Sequence, residues 1–155
     1  MSKPDYMYVV LINAPRQKVW QALTSGAFTK QYWHSAEVRS DWKIGRPVEF
    51  WVSTEQGDAI GCQGEILECV EPDRLSYSWH FPLNPACALD APSRVQFLLE
   101  DAGDATKLTV KHDNFSGEDS ATYRMVSTGW PYVIAGLKTL CETGETIDFS
   151  VLAPD

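Results

Sequence analysis

The side chains best suited to acid–base or metal chemistry are three histidines, His34, His80 and His112, and four cysteines. The histidines are far apart in the sequence, and no spacing of His, Cys, Asp or Glu matches a metal-ligand motif. The sequence contains neither a glycine-rich phosphate loop nor the G-x-S-x-G motif of serine hydrolases. We therefore predict no catalytic residue, no metal site and no cofactor.

His112 has the most informative position of the three. It shares one face of a predicted strand with Leu108 and Val110, which are apolar. A buried imidazole on that face needs a hydrogen-bond partner. Two interpretations stay open: a satisfied histidine at a strand end, or a polar anchor for a ligand carbonyl or hydroxyl.

The other two histidines are expected near water. His80 alternates to the polar side of its strand, which predicts a solvated ring. His34 follows the aromatic pair Tyr32 and Trp33. It is expected on the surface or, alternatively, near the mouth of a cavity.

The cysteines do not predict a disulfide framework or a zinc site. No C-x-x-C pair occurs among Cys62, Cys69, Cys87 and Cys141, and Cys62 and Cys69 point to opposite faces if they share a strand. Free, reduced thiols in a cytoplasm fit this pattern best.

Size, composition and charge limit the functional classes. The 155 residues, 44% of them hydrophobic, predict one domain spanning 1–155 with a core at about 7–145. The formal charge of -8, without a basic cluster, argues against nucleic acid and anionic membranes as partners. No stretch approaches the roughly 20 apolar residues of a membrane span. The N-terminal residues do not resemble a signal peptide, so we predict a cytoplasmic protein.

One long helix is predicted near the C-terminus, within Glu118–Thr143. Its apolar residues recur in steps of three and four, which places them on one stripe: Tyr123, Val126, Trp130, Val133, Ile134, Leu137, Leu140 and Cys141. Asp119 or Ser120 can cap its start, and Gly144 can end it. Pro131 predicts a kink or a restart within the helix.

Most of the preceding chain alternates between apolar and polar residues, as antiparallel strands covered on one side do. The predicted strands are Met7–Ile12, Ala36–Arg39, Pro47–Thr54, Ala59–Glu71, Arg74–Phe81, Ser93–Glu100 and Thr106–Asp113. Two short helices lie between the first two strands. The fold class is α+β, with a curved antiparallel sheet wrapped around the C-terminal helix.

The chain is rich in aromatic residues, with six Trp, six Tyr and six Phe. Those facing the helix either interlock as core or, if the helix stands off, form the walls of a pocket. Small-molecule pockets are mostly apolar with a few placed polar groups. The predicted ligand-cavity residues are Phe50, Tyr77, Trp79, Phe97, Val110, His112, Tyr123, Trp130, Ile134 and Leu137.

The order of strand, two short helices, antiparallel strands and a long helix resembles the START-like (SRPBCC, helix-grip) fold. Local motifs resemble the branch of homologues of the activator of heat-shock-protein-90 ATPase over about residues 7–145. The motifs are Asn13-Ala14-Pro15-x-x-x-Val19-Trp20-x-Ala22-Leu23-Thr24, Glu71-Pro72-x-x-Leu75-x-Tyr77-x-Trp79, Leu108-Thr109-Val110-x-His112 and Gly129-Trp130 leading into Leu137 and Leu140.

The resemblance implies a cavity between sheet and helix that holds a small hydrophobic or aromatic molecule without catalysis. An alternative is a cyclase- or hydratase-type enzyme, with His112, Tyr77 or Glu65 in proton transfer. Another is a co-chaperone-like domain whose partner is a chaperone or a second copy of the chain.

Overall fold

The computed structural model describes residues 5–147. The elements are β1 (Tyr6–Ile12), α1 (Arg16–Thr24), α2 (Gly26–Tyr32), β2 (Glu37–Ser40), β3 (Pro47–Thr54), β4 (Gly57–Val70), β5 (Arg74–Trp79), α3 (Pro85–Ala88), β6 (Ser93–Ala102), β7 (Ala105–Asp113) and α4 (Ala121–Thr143). No helix in this range is long and apolar enough to cross a membrane.

The strands form one curved antiparallel sheet in the order β1-β7-β6-β5-β4-β3-β2. The predicted apolar faces are confirmed, since Phe50, Tyr77, Trp79, Phe97 and Val110 are all buried on the side that α4 covers. The α+β class and the sheet wrapped around the C-terminal helix are therefore confirmed.

Helix α4 has the ends that the sequence predicts. The Ser120 hydroxyl accepts the Tyr123 N–H at 3.0 Å, and Gly144, with φ 83°, donates its N–H to the Leu140 carbonyl. The helix continues through Pro131 without the restart that the sequence suggested. Its buried stripe comprises Thr122, Val126, Trp130, Val133, Ile134, Gly136, Leu137, Leu140 and Cys141.

The connection between β5 and β6 contains the short helix α3, which the sequence did not predict because four residues are too few for a periodicity. The Asp90 carboxylate anchors this connection to α4: it accepts from the Ser120 hydroxyl at 2.9 Å and from the Thr122 N–H at 3.0 Å. These two hydrogen bonds tie the loop to the start of the long helix.

Helices α2 and α4 approach closely at a glycine. A Cβ on Gly136 would lie 2.9 Å from the Cβ of Tyr32, which is too close for an ordinary contact. The Tyr32 hydroxyl donates to the Ala22 carbonyl at 2.6 Å, so this ring cannot move away easily. Gly129, on the same helix, would place a Cβ in open space.

The two glycines of α4 provide a matched test of this packing. Gly129→Ala should raise the free energy of unfolding by about 0.5–1 kcal/mol, because alanine is the better helix former. Gly136→Ala gains the same propensity but must displace Tyr32, so it should be less stable than Gly129→Ala by about 1–3 kcal/mol. Urea unfolding of both variants measures the difference, and equal stability would contradict the close approach.

Candidate functional site

A cavity of about 260 Å³ lies between α4, the α2–β2 connection and the β3–β4–β5 part of the sheet. Its wall is formed mostly by apolar side chains. The lining residues are Trp33, His34, Ala36, Phe50, Val52, Gly61, Cys62, Trp79, Phe81, Met125, Val126, Gly129, Trp130 and Val133.

No Asp, Glu, Lys or Arg is among the described residues that line this cavity. His34 is exposed as a residue, but its ring lies partly against the apolar cavity wall, and this partial burial lowers the pKa of the imidazole and keeps it mostly uncharged at neutral pH. Burial also raises the pKa of the Cys62 thiol strongly, so the thiol stays protonated. The cavity is therefore an electrically neutral environment.

The floor of the cavity is aromatic. The Trp130 ring lies 5.4 Å from the Trp79 ring and 5.5 Å from the Trp33 ring, between centroids. The Trp33 ring is also tilted relative to the Phe50 ring, with the two ring centroids 4.7 Å apart. Tilted and edge-on contacts at such distances are favourable beyond the area they bury. The floor is therefore a cluster of mutually supporting rings.

The mouth of the cavity lies between the α2–β2 turn and α4. His34 and Met125 line the cavity and are also exposed, the latter to 45%. His34 and the next residue, Ser35, have φ angles of 49° and 62°. This left-handed conformation is uncommon for residues other than glycine and occurs often at functional sites.

A β-bulge shapes the sheet side of the cavity. The pairing of β3 with β4 shifts between Phe50 and Trp51, which leaves Gly61 as the extra residue on β4. A Cβ on Gly61 would lie 3.3 Å from both methyl carbons of Val52. The missing side chain therefore leaves room where a larger residue would press on the wall.

Behind the floor, Trp130 is held by a buried histidine. The Trp130 indole N–H donates to His112 Nδ1 at 3.2 Å, and His112 Nε2 lies 2.7 Å from the Ser93 hydroxyl. Because an indole only donates, Nδ1 must accept, and the proton of neutral His112 must be on Nε2. His112 is fully buried, so its imidazole is a satisfied core group.

The ten predicted cavity residues divide into two groups. Phe50, Trp79 and Trp130 lie in the cavity wall. The remaining seven pack outside the wall: Tyr77, Phe97, Val110, His112, Tyr123, Ile134 and Leu137. Helix α1 contacts α4, β6 and β7 and buries four of its side chains. The space under α4 on the side of α1 is therefore filled, by Val19, Trp20, Ala22 and Leu23.

Most residues of the wall are not among those predicted from the sequence. Val52 and Phe81 continue the alternation that selected Phe50 and Trp79, so that signal was present. Met125 and Gly129 are one helical turn apart, but Met125 lies beside the predicted apolar stripe rather than within it. No sequence pattern indicates the bulge at Gly61.

Of the two other histidines, His34 lies where the sequence predicts and His80 does not. His34 is exposed and lines the mouth, so both of its suggested locations apply. His80 was expected in solvent, but it is half-buried, and its Nε2 lies 3.1 Å from the Ala88 carbonyl. The α3 segment covers the ring, which strand alternation alone could not predict.

The buried His112 should make the fold sensitive to acid. Burial lowers the pKa of this imidazole to about 3, whereas in the unfolded chain it is near 6.5. Below pH 6.5 the unfolded state binds the extra proton, so stability falls as the pH falls, by up to about 1.4 kcal/mol per pH unit. The lowered pKa of His34 acts in the same direction.

His112→Gln should flatten this slope, measured by urea unfolding between pH 6.5 and about 5, above the range in which carboxylates protonate. An unchanged slope in the His112→Gln variant would show that the His112 imidazole of the wild type takes up a proton in the folded state.

All four cysteines are free in the structure, and three of them, Cys62, Cys87 and Cys141, are buried. In native protein a thiol reagent should modify the partly exposed Cys69 first, because burial shields the other three thiols from the reagent. In denaturant without reductant all four should react. Fewer than four reactive thiols in fresh protein would reveal a disulfide or a bound metal.

Comparison with known proteins identifies the family. A family model described as "Activator of Hsp90 ATPase homolog 1-like protein" matches residues 13–142. No curated protein sequence matches the chain.

Solved structures share the fold. The Aha1 dimer from Colwellia psychrerythraea is 17% identical with a TM-score of 0.70, over 91% of this chain and 98% of that one. An HSP90 activator from Plasmodium falciparum is 16% identical with a TM-score of 0.70, over 88% and 94%.

DynU16, a protein in the dynemicin biosynthetic locus, is 20% identical with a TM-score of 0.73, over 94% of this chain and 49% of that longer one. At these identities the structures show a common fold and nothing more. The family model covers most of the sequence, and the chain therefore belongs to the family of Activator of Hsp90 ATPase homolog 1-like proteins.

Proposed function

We propose that this protein binds a small, uncharged hydrophobic or aromatic molecule in the cavity between α4 and the sheet, and that it does so without catalysis. The observation that carries the proposal is the apolar, aromatic-floored cavity of about 260 Å³ with a mouth at His34 and Met125. Apolar clefts with few polar groups are the usual form of small-molecule sites.

The volume of the cavity limits the size of the ligand. An apolar cavity of about 150 Å³ is large enough to bind one benzene ring. A space of about 260 Å³ therefore has room for one or two rings, and a sterol would require the mouth to open. Part of a larger ligand could protrude past Met125.

The polar groups of the wall suggest how the ligand is oriented. The Trp79 indole N–H is buried and has no hydrogen-bond partner among residues 5–147. An unpaired buried donor costs about 1–3 kcal/mol, which a ligand carbonyl or ether oxygen beside Trp79 would recover. A polar end of the ligand would lie at the mouth beside His34.

The arrangement weighs against the cyclase or hydratase alternative. His112 is bonded at both ring nitrogens, and Tyr77 is buried outside the wall with its pKa held well above its usual range by burial. Glu65 is exposed and lines no part of this cavity. Among the described residues, no acid and base converge on the space that a substrate would occupy.

A contact with a chaperone of the heat-shock-protein-90 type is a second candidate. It is favoured by membership of the family and by the HSP90 activator among the structural relatives, which at 16% identity shares the fold alone. Such a contact would use the outer surface and does not require an occupied cavity, so both activities could coexist.

A filling substitution tests the ligand proposal. A small aromatic ligand at about 100 times its dissociation constant should stabilise the wild type by roughly 2.7 kcal/mol and raise the melting temperature by several degrees. Gly129→Phe should abolish this shift while keeping the fold, because position 129 faces open space in the cavity wall. Tryptophan fluorescence should report binding, since Trp33, Trp79 and Trp130 surround the cavity.

Thr128→Phe is the matched control, because Thr128 is exposed on the same helix and lines no part of the cavity. This variant should retain the shift. Val110→Phe and Leu137→Trp would not serve as filling variants, since both residues are fully buried outside the wall and overpacking costs about 1–3 kcal/mol. No melting shift across a panel of uncharged one- and two-ring aromatic molecules, 1-naphthol among them, would defeat the proposal.

A further inference from the structure

Two of the residues that line the cavity are exposed, and both lie at its mouth. One is His34, and the other is Met125, which is 45% exposed. The indole rings of the floor are buried. Met125 therefore reaches from the cavity to the surface, so the position of its side chain decides how far the cavity extends on the side of α4.

The thioether of Met125 is held by the connection between β5 and β6. The Cys87 thiol donates to Met125 Sδ at 3.8 Å, and the Asn84 carboxamide N–H donates to the same sulfur at 3.7 Å. Cys87 is buried, which raises the pKa of its thiol and keeps the thiol protonated. Each contact to sulfur is weak, but two donors that converge on one sulfur restrict a flexible, unbranched side chain.

The two donors are themselves fixed in position. Asn84 Oδ1 accepts the Cys87 N–H at 3.0 Å, which caps α3 and sets the orientation of the Asn84 carboxamide. The same connection is bonded to the start of α4 through Asp90. Neither Cys87 nor Asn84 lines the cavity. Met125 is thus held from behind by residues that a ligand in the cavity does not touch.

The other side chains of the wall are poorly placed to limit the size of a ligand by moving. The floor indoles of Trp33, Trp79 and Trp130 pack against one another, so none can move without losing these contacts. Gly129, one helical turn from Met125, has no side chain to move. An exposed methionine can turn towards water at little cost, so without its contacts to the connection Met125 would move aside for a larger ligand.

We infer that Met125 is the gate that limits the size of the ligand, and that Cys87 and Asn84 are positioning residues that hold this gate in place. The inference rests on the proposed function and narrows its ligand class to aromatic molecules of one or two fused rings. A cavity of about 260 Å³ encloses such a molecule with Met125 in place. A molecule of three or four fused rings needs the space that the Met125 side chain occupies.

Two phenols of different size test the gate: 1-naphthol, with two fused rings, and 1-hydroxypyrene, with four. The ratio of their dissociation constants, from fluorescence titrations, is the informative quantity, because a loss of folded protein weakens both and leaves the ratio unchanged. The wild type should bind 1-naphthol at least about tenfold more tightly than 1-hydroxypyrene. Met125→Ala should bring the ratio to about one, because it opens the mouth.

Cys87→Ala tests the positioning role separately. Because Cys87 lies outside the cavity wall, it can alter the size preference only through Met125. The substitution should reduce the preference for 1-naphthol about threefold in the wild-type background and have no further effect in the Met125→Ala background. A general loss of packing would instead act in both backgrounds.

Met7→Ala is the matched control, since Met7 is 60% exposed on β1 and lines no part of the cavity. It should keep the wild-type ratio. The inference is overturned by a wild type without preference for 1-naphthol, by a Met125→Ala or Cys87→Ala variant with the wild-type ratio, or by a Cys87→Ala effect that persists in the Met125→Ala background. These outcomes leave the proposed function standing, whereas a wild type that binds neither phenol would overturn both.

Discussion

The hydrogen bond from Trp130 to His112 ties the long helix to the sheet that it covers. It joins the middle of α4 to the end of β7 at 3.2 Å, inside a core from which water is excluded. Its donor is fixed by chemistry, so it also selects the neutral Nε2–H tautomer of His112 and orients that N–H towards Ser93 on β6. One side chain, Trp130, thereby takes part in the polar anchor, the aromatic cluster and the cavity wall.

The cavity lies where side chains no longer fill the space between α4 and the sheet. On one side of Trp130 the side chains of α1 fill the space between α4 and the sheet, and Gly136 allows α2 to contact α4 directly. On the other side, two glycines, Gly61 in the bulge and Gly129 on α4, contribute no side chain. The aromatic rings pack against one another and hold their positions, so the cavity does not collapse.

Much of the architecture could be predicted from local patterns. Alternation assigned the buried side of each strand, and steps of three and four assigned the stripe of α4. Ser120 and Gly144 have the chemistry of a cap and a stop, and the structure uses both residues in these roles. These features depend on residues that are close together in the sequence, so they can be predicted from one sequence alone.

The site was less predictable than the fold. The hydrophobic period of a strand or helix shows which way a side chain points, but it does not give the distance to the opposite wall of the cavity. Leu137 and Val133 share one stripe, yet Leu137 packs in the core and Val133 lines the cavity. Likewise, His112 could be expected to be buried, but its partners Ser93 and Trp130 are 19 and 18 residues away. Bulges and contacts of this kind depend on the complete fold.

Nuclear Overhauser effects in solution test most directly whether the apolar cavity admits a small aromatic molecule. A bound probe such as 1-naphthol should show contacts to the methyl groups of Val52 on β3 and of Met125, Val126 and Val133 on α4, because these groups surround the cavity. Contacts only to the exposed methyl groups of Met7, Val9 and Leu11, or none at all, would contradict the account.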